Sequence, residues 1–313
     1  MANAEADELE ARMANEKVWE AILYGFVVDP DSPSFLARGD RIFEVPATSN
    51  YVAISSNPRM SMDFQYSDSE HTAASNFASS FSVEGSYGAF SAAASMEVSK
   101  STSSSIKTVR MDSMIKALKY GVASKNDFRN FPQDFLTDSF KRAVRDLSFE
   151  KLEENVGVFY AKSMDLGGEI RKSYTMQATE DDTEQSVSAE LKASYGGAMF
   201  GVSATASVGV SSRESNKESQ MKVEWSAKGG NTMLWLGKTF SDSGDSSVAS
   251  IQGKWADSIS DSNLYPFNYD LGLVWELIQA FDKSKGDGYK AYLQAKWIKN
   301  RNAFIPSKFL PRE

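Results

Sequence analysis

Two stretches of this chain obey the same unusual rule, and that rule restricts what they can become. From Val187 to Tyr195 the odd positions are Val187, Ala189, Leu191, Ala193 and Tyr195, and the even ones are Ser188, Glu190, Lys192 and Ser194. After Gly196-Gly197 the phase reverses. Phe200, Val202, Ala204, Ala206, Val208 and Val210 now fall on even positions, separated by glycine, serine and threonine. An earlier stretch behaves alike: Phe77, Phe81, Val83 and Tyr87 are odd, whereas past Gly88 the residues Phe90, Ala92, Ala94, Met96 and Val98 are even. Alternation with period two describes a strand with one apolar and one polar face. Glycine at the reversal suits a hairpin tip, because it adopts positive φ freely. Each arm holds about ten alternating residues, close to the length of a strand that crosses a bilayer. On that reading the apolar positions meet lipid, and the serine, threonine, lysine and glutamate positions meet water.

The same residues leave other structures open. Alanine-rich runs such as "SAAASMEVSK" make acceptable helices. Period-two runs also occur in surface hairpins of soluble sheets. A third option joins the two: a segment of small residues packs compactly in one state and refolds in another, since no bulky leucines lock either state.

The whole chain narrows the classes of function. It has 313 residues, 41% hydrophobic and 24% charged, which suits one large globular domain or two small ones. A formal net charge of -8 argues against nucleic acid as a partner. There are no cysteines and a single histidine, His71, so thiolate chemistry is excluded and a histidine-dependent triad is improbable. "GDSS" (Gly244–Ser247) therefore lacks the partners of a hydrolase nucleophile, and an enzyme is not expected. "LGKT" (Leu236–Thr239) resembles the end of a phosphate loop, but Thr232 stands where the first glycine belongs. "EDD" (Glu180–Asp182) reads as a solvated loop rather than a metal site. No cofactor is expected. No apolar run approaches the roughly 20 residues of a membrane-spanning helix. The N-terminus starts acidic, without the basic-then-apolar layout of a signal peptide. Cytoplasmic storage, export by another route and a missing leader all stay open.

The periodicity predicts a helix over 5–25, broken at Pro30 and Pro33. Extended segments follow around Pro46 (41–55), then the first alternating segment. Long strands are predicted over 104–122, over 156–176 with Gly167-Gly168 interrupting it, and over 219–240 with Gly229-Gly230 inside. Between the first two lies "TDSFKRAVRDL", a helix capped by Thr137 or Asp138. "YDLGLVWELIQAF" (269–281) is predicted as a helix. The layout is strand, alternating segment, strand, helix, strand, alternating segment, strand: a two-fold repetition.

At this point the chain resembles a known family. "NVGVFYAKSMDLGGEI" (155–170) is similar to the signature of the membrane attack complex/perforin domain, roughly Tyr-Gly-x-His-Phe/Tyr followed by a Leu-Gly-Gly strand. Gly157, Tyr160, Leu166, Gly167 and Gly168 match; Val156 replaces the aromatic and Phe159 the histidine. A phenylalanine-containing helix before the signature ("DFLTDSFKRAV"), a later Gly229-Gly230 and an apolar helix after a proline ("YPFNYDLGLVWELI") follow in the family's order. The resemblance covers about residues 35–282, with a helical segment before it (1–34) and a basic, aromatic tail after it (283–313). It implies an α+β fold: a bent, twisted four-stranded antiparallel sheet flanked by two helical clusters that are precursors of transmembrane hairpins. It also implies that residues near 66–103 and 177–218 convert to amphipathic hairpins, and that many copies close into a β-barrel in a membrane. The glycine pairs would let the sheet bend. A secreted or released soluble monomer that becomes membrane-associated, with a separate targeting partner possible, would fit. The alternative is a non-lytic binding or structural protein that keeps the fold without inserting. In the tail, Lys296, Trp297, Lys299 and Arg301 are candidates for contact with anionic headgroups, or else belong to a terminal helix docked on the body with its charges in water.

Overall fold

The computed structural model describes residues 18–28, 36–46, 48–67, 106–179, 222–235 and 246–299. Four strands make its spine: β3 (Val52–Ser67), β4 (Ile106–Ser124), β5 (Phe159–Thr179) and β6 (Lys222–Lys228). They pair antiparallel in the order β3-β4-β5-β6. Among the described residues three further strands extend these to a seven-stranded sheet. β7 (Tyr265–Leu273) pairs with the first half of β5, beside β6. β1 (Tyr24–Val28) meets β5 at Phe159 and Tyr160 and pairs with β2 (Leu36–Arg41).

The spine strands are long, and their ends line up. Ser67 lies opposite Arg110, Ile106 opposite Thr179, and Lys222 opposite Thr175. The chain therefore leaves β3, enters β4, leaves β5 and enters β6 at one and the same end of the sheet. The two alternating segments depart from that end. Their interiors, and with them every hairpin position from Phe77 to Val98 and from Val187 to Val210, lie outside the described residues. The residues at 66–67 and 177–179, inside the expected conversion zones, are already strand.

The core sits at the other end. Aromatic residues dominate it because they bury large areas and pack edge to face. Phe43 meets Phe128 at 5.1 Å and Tyr160 at 5.4 Å between ring centroids, both edge-on. Helices close this end. α1 (Asn126–Asn130) contributes Phe128. α2 (Asp138–Asp146) buries Phe140 and Val144, one turn apart, and starts where Thr137 Oγ1 accepts from the Phe140 amide at 3.1 Å. α3 (Phe149–Asn155) starts at Ser148, whose hydroxyl accepts from the Lys151 amide. α4 (Ser246–Asp257) lies on the sheet, and α5 (Val274–Phe281) and α6 (Lys283–Lys299) follow β7.

Several sequence expectations change. The helix expected over 5–25 is a 3-10 turn at Val18–Leu23 followed by β1; its residues before 18 lie outside the described set. Backbone contact is the reason: a side chain on Gly25 would collide with the Val156 carbonyl, so β1 runs hard against the turn after α3. The expected helix 269–281 divides at Leu273. Phe267, Tyr269, Leu271 and Leu273 alternate inward as β7, and the helix starts only at Val274. The strand expected over 219–240 ends at Lys228, and a 3-10 turn occupies Thr232–Trp235. Gly167-Gly168 does not interrupt β5, which runs unbroken for 21 residues.

Candidate functional site

A line of bulges, glycines and a strand end crosses the four spine strands. In β4 the register against β5 slips between Leu118 and Tyr120, leaving Lys119 as an extra residue. In β3 the register slips between Ser56 and Arg59, opposite that same residue, with Pro58 inside the bulge. Proline lacks the N–H a ladder needs, so an edge-strand bulge suits it. Leu118 faces Gly167 and Ala117 faces Gly168 in β5. Next to Glu169, β6 ends at Lys228 and gives way to Gly229 and Gly230. The crease thus runs Pro58, Lys119, Gly167-Gly168, Gly229-Gly230.

The glycines serve close approach. A Cβ on Gly167 would strike the Ala117 carbonyl oxygen; one on Gly168 would lie 2.6 Å from Trp255 Cζ2 and 3.0 Å from Ile259 Cδ1. Gly229 and Gly230 take left-handed φ values of 71° and 63°, which residues with a side chain rarely adopt. Trp255, from α4, is fully buried over this point, and its Nε1 donates to the Gly229 carbonyl at 2.9 Å. With Ile115, Ala117, Ile170 and Ile259 it forms a small apolar cluster separate from the main core. On the other face, Lys116 Nζ reaches Asp63 at 2.9 Å and donates to Asn268 Oδ1 at 2.6 Å, while Asn268 Nδ2 donates to Asp165 at 2.9 Å. β3, β4, β5 and β7 are therefore tied together by polar groups beside the crease.

The signature residues anchor the core end of β5. Gly157 has φ 94°, with the Phe26 carbonyl where a side chain would be. Phe159, in place of the family's histidine, is fully buried, as are Val156 and Leu166. Tyr160 lies against Gly272, where a side chain would overlap its ring. Of these residues Leu166 adjoins the crease, immediately before Gly167.

The tail residues up to Lys299 belong to helix α6. Lys296 Nζ pairs with Glu153 of α3 at 2.6 Å, and Tyr292 donates to the same carboxylate at 3.0 Å. Tyr289 is buried and donates to the Gly157 carbonyl at 3.0 Å. Burial and the Glu153 charge push the Tyr292 hydroxyl up to about 12, and burial raises Tyr289 as well. Helix α6 is docked on the core, at the end of the sheet opposite the alternating segments. Trp297 and Lys299 belong to its last turn; Arg301 lies outside the described residues.

Trp255, Ile259, Lys119 and Asp261 complete the site without having been singled out from sequence. The pair Ile251 and Trp255, one helical turn apart in a segment of small polar residues, was the available signal. Among the described residues no group of three or more histidines or carboxylates could hold a metal. No described helix is long and apolar enough to cross a membrane.

A mixed α+β body on a long antiparallel sheet, creased at paired glycines, defines the class. The family model for the MAC/Perforin domain matches residues 26–296, and the chain belongs to that family. Two solved structures are similar. One is GNIP1Aa from Chromobacterium piscinae, with a TM-score of 0.59 and 13% identity, covering 91% of this chain and 57% of that one. The other is a putative cell invasion protein with a MAC/Perforin domain from Bacteriodes thetaiotaomicron, with a TM-score of 0.53 and 12% identity, covering 87% and 60%. This chain thus spans under two thirds of either. No curated protein sequence matches.

Proposed function

We propose that this is a pore-forming protein which assembles on a lipid membrane into a ring or arc of identical copies and inserts a β-barrel. One observation carries the reading: both alternating segments join the sheet at the same end, on the neighbouring pairs β3–β4 and β5–β6. Extended as hairpins, they would continue four adjacent strands without a change of strand order. Their period-two pattern supplies the lipid face and the water face. Lipid tolerates no open sheet edge, so insertion requires closure, and closure requires many copies. Insertion and oligomerisation are therefore linked. The protein would reach the membrane as a secreted or released soluble monomer, with no enzymatic step. A separate partner, or sequence beyond this chain, would choose the target membrane.

The test is dye release from liposomes of several compositions, with electron microscopy for rings. Cysteine pairs that lock either segment to the body should abolish release, and reduction should restore it. If the wild type releases no dye and stays monomeric on every membrane, the protein is instead a non-lytic member that keeps the fold without inserting.

A further inference from the structure

We infer that residues 255–263 form a staple along the crease, binding β4 to the turn after β6 over β5, and that Lys119 and Asp261 are its closing contact. Consecutive residues of a regular strand point to opposite faces. Lys119 and Tyr120 do not: the bulge at Lys119 turns both toward one atom, Asp261 Oδ1, at 2.9 Å from Lys119 Nζ and 2.8 Å from the Tyr120 hydroxyl. Lys119 Nζ also donates to the Ile259 carbonyl at 3.3 Å. The same loop grips the far end of the crease. Trp255 donates to Gly229, Ser258 Oγ accepts from the Asn231 amide at 2.7 Å, and the Asn263 carbonyl accepts from the Gly230 amide at 3.2 Å.

The loop is braced internally, so it transmits force rather than yielding. Asn263 receives the Ser260 amide on Oδ1 at 2.8 Å and donates through Nδ2 to the Ser258 carbonyl at 3.1 Å. One stiff element therefore holds β4 at its bulge and the turn after β6 at its glycines, with β5 between them. The bulge in β4 acquires a purpose it lacks as a mere irregularity: it aims two adjacent side chains at the staple. Lys119 and Asp261 are positioning residues. They hold β4 to the turn after β6 over the glycines of β5. Resting on the pore-forming reading, their separation would precede any rearrangement of the strands beyond the crease.

Hydrogen exchange on the soluble chain tests the staple. In Asp261→Asn and in Lys119→Met, amides of 116–121 and 166–170 should exchange about fivefold to tenfold faster, as for the net loss of one ordinary hydrogen bond. Amides of 158–161 and 271–273, in the core end, should keep their rates. The double variant should exchange more slowly than the product of the two single effects, since both remove the shared contact, and Asp261→Glu should restore part of the protection. Where the wild type releases dye, both single variants should release it sooner. Unchanged exchange at the crease in both variants, or equal acceleration throughout the molecule, overturns the staple. The exchange result decides this even if the wild type releases no dye, an outcome that counts against the pore-forming reading alone.

Discussion

Trp255 and Gly168 meet on the face of the sheet with no side chain between them: a methyl group on Gly168 would sit 2.6 Å from Cζ2 of the indole. The contact seats α4 on the sheet, and it lies on the crease. Gly168→Ala should therefore force the ring or the strand aside and destabilise the fold by about 1–3 kcal/mol. Gly167→Ala should be worse, because the obstacle there is the Ala117 backbone carbonyl rather than a side chain. Urea denaturation midpoints check both. A Gly168→Ala midpoint equal to wild type would mean that α4 is not seated as described.

Trp255→Phe separates the hydrogen bond from the packing. It deletes the donor to Gly229 and leaves most of the apolar contact, so a loss of about 1–3 kcal/mol is expected, combining an unmade bond with a small cavity. Thermal unfolding of Trp255→Phe beside Gly168→Ala and the double variant measures their coupling. Residues in contact should be non-additive by at least about 0.5 kcal/mol.

Phe159→His restores the family's usual residue to a site with no exposure to solvent. A buried imidazole without a ready partner should lower stability by about 1–3 kcal/mol. Burial favours its neutral form, so its folded pKa falls below the unfolded value. The remaining stability should be present above about pH 6.5 and be lost as pH drops below it, because the unfolded chain takes up the proton first. Denaturant curves between pH 5 and pH 8, as ordinary assay conditions, read this out. A flat difference from wild type would show that the site supplies a partner for the imidazolium.

The docking of α6 should weaken in alkali. Tyr292 ionises near pH 10 when unfolded, but only at about 12 in the fold. The neutral hydroxyl is the form the fold favours, so its contribution is complete below pH 10 and disappears as pH rises toward 12. Tyr292→Phe should show a shallower loss over that window in circular dichroism. Wild type and variant falling in parallel would count against the Glu153 contact.

Lys296→Met tests whether α6 meets lipid. Its ammonium already faces Glu153, with the lysine side chain 38% exposed and the glutamate 12%. A partly exposed pair contributes about 0–1 kcal/mol. Sedimentation with anionic liposomes should be unchanged in the variant, with a stability loss inside that range. A clear fall in lipid binding would reassign Lys296 to the headgroups.

The long strands and α2 were legible because their signals are local. β4 and β5 carry apolar residues over runs too long for a turn, and Thr137 with Phe140 and Val144 announces a capped amphipathic helix. β1 and β7 were not legible. Their apolar residues adjoin other apolar runs, and only pairing with β5 decides where strand ends and helix starts. The four crease glycines could be singled out as pairs. Their roles could not, since Gly168 needs Trp255, which lies far along the chain. Lys119 was invisible for a similar reason. A bulge exists only relative to the partner strand, and nothing in "KALKYG" marks the extra residue.

Geometry makes the crease an amplifier of displacement. From Gly168 to the end of β5 at Thr179 the strand extends roughly 36 Å, at about 3.3 Å per residue. A change of about ten degrees at the glycines would swing that far end through roughly 6 Å, more than the spacing between neighbouring strands. A contact near the fulcrum, such as Lys119–Asp261, would shift by only a small fraction of that distance. A slight turn at the glycines would be read out as large travel where the two alternating segments begin.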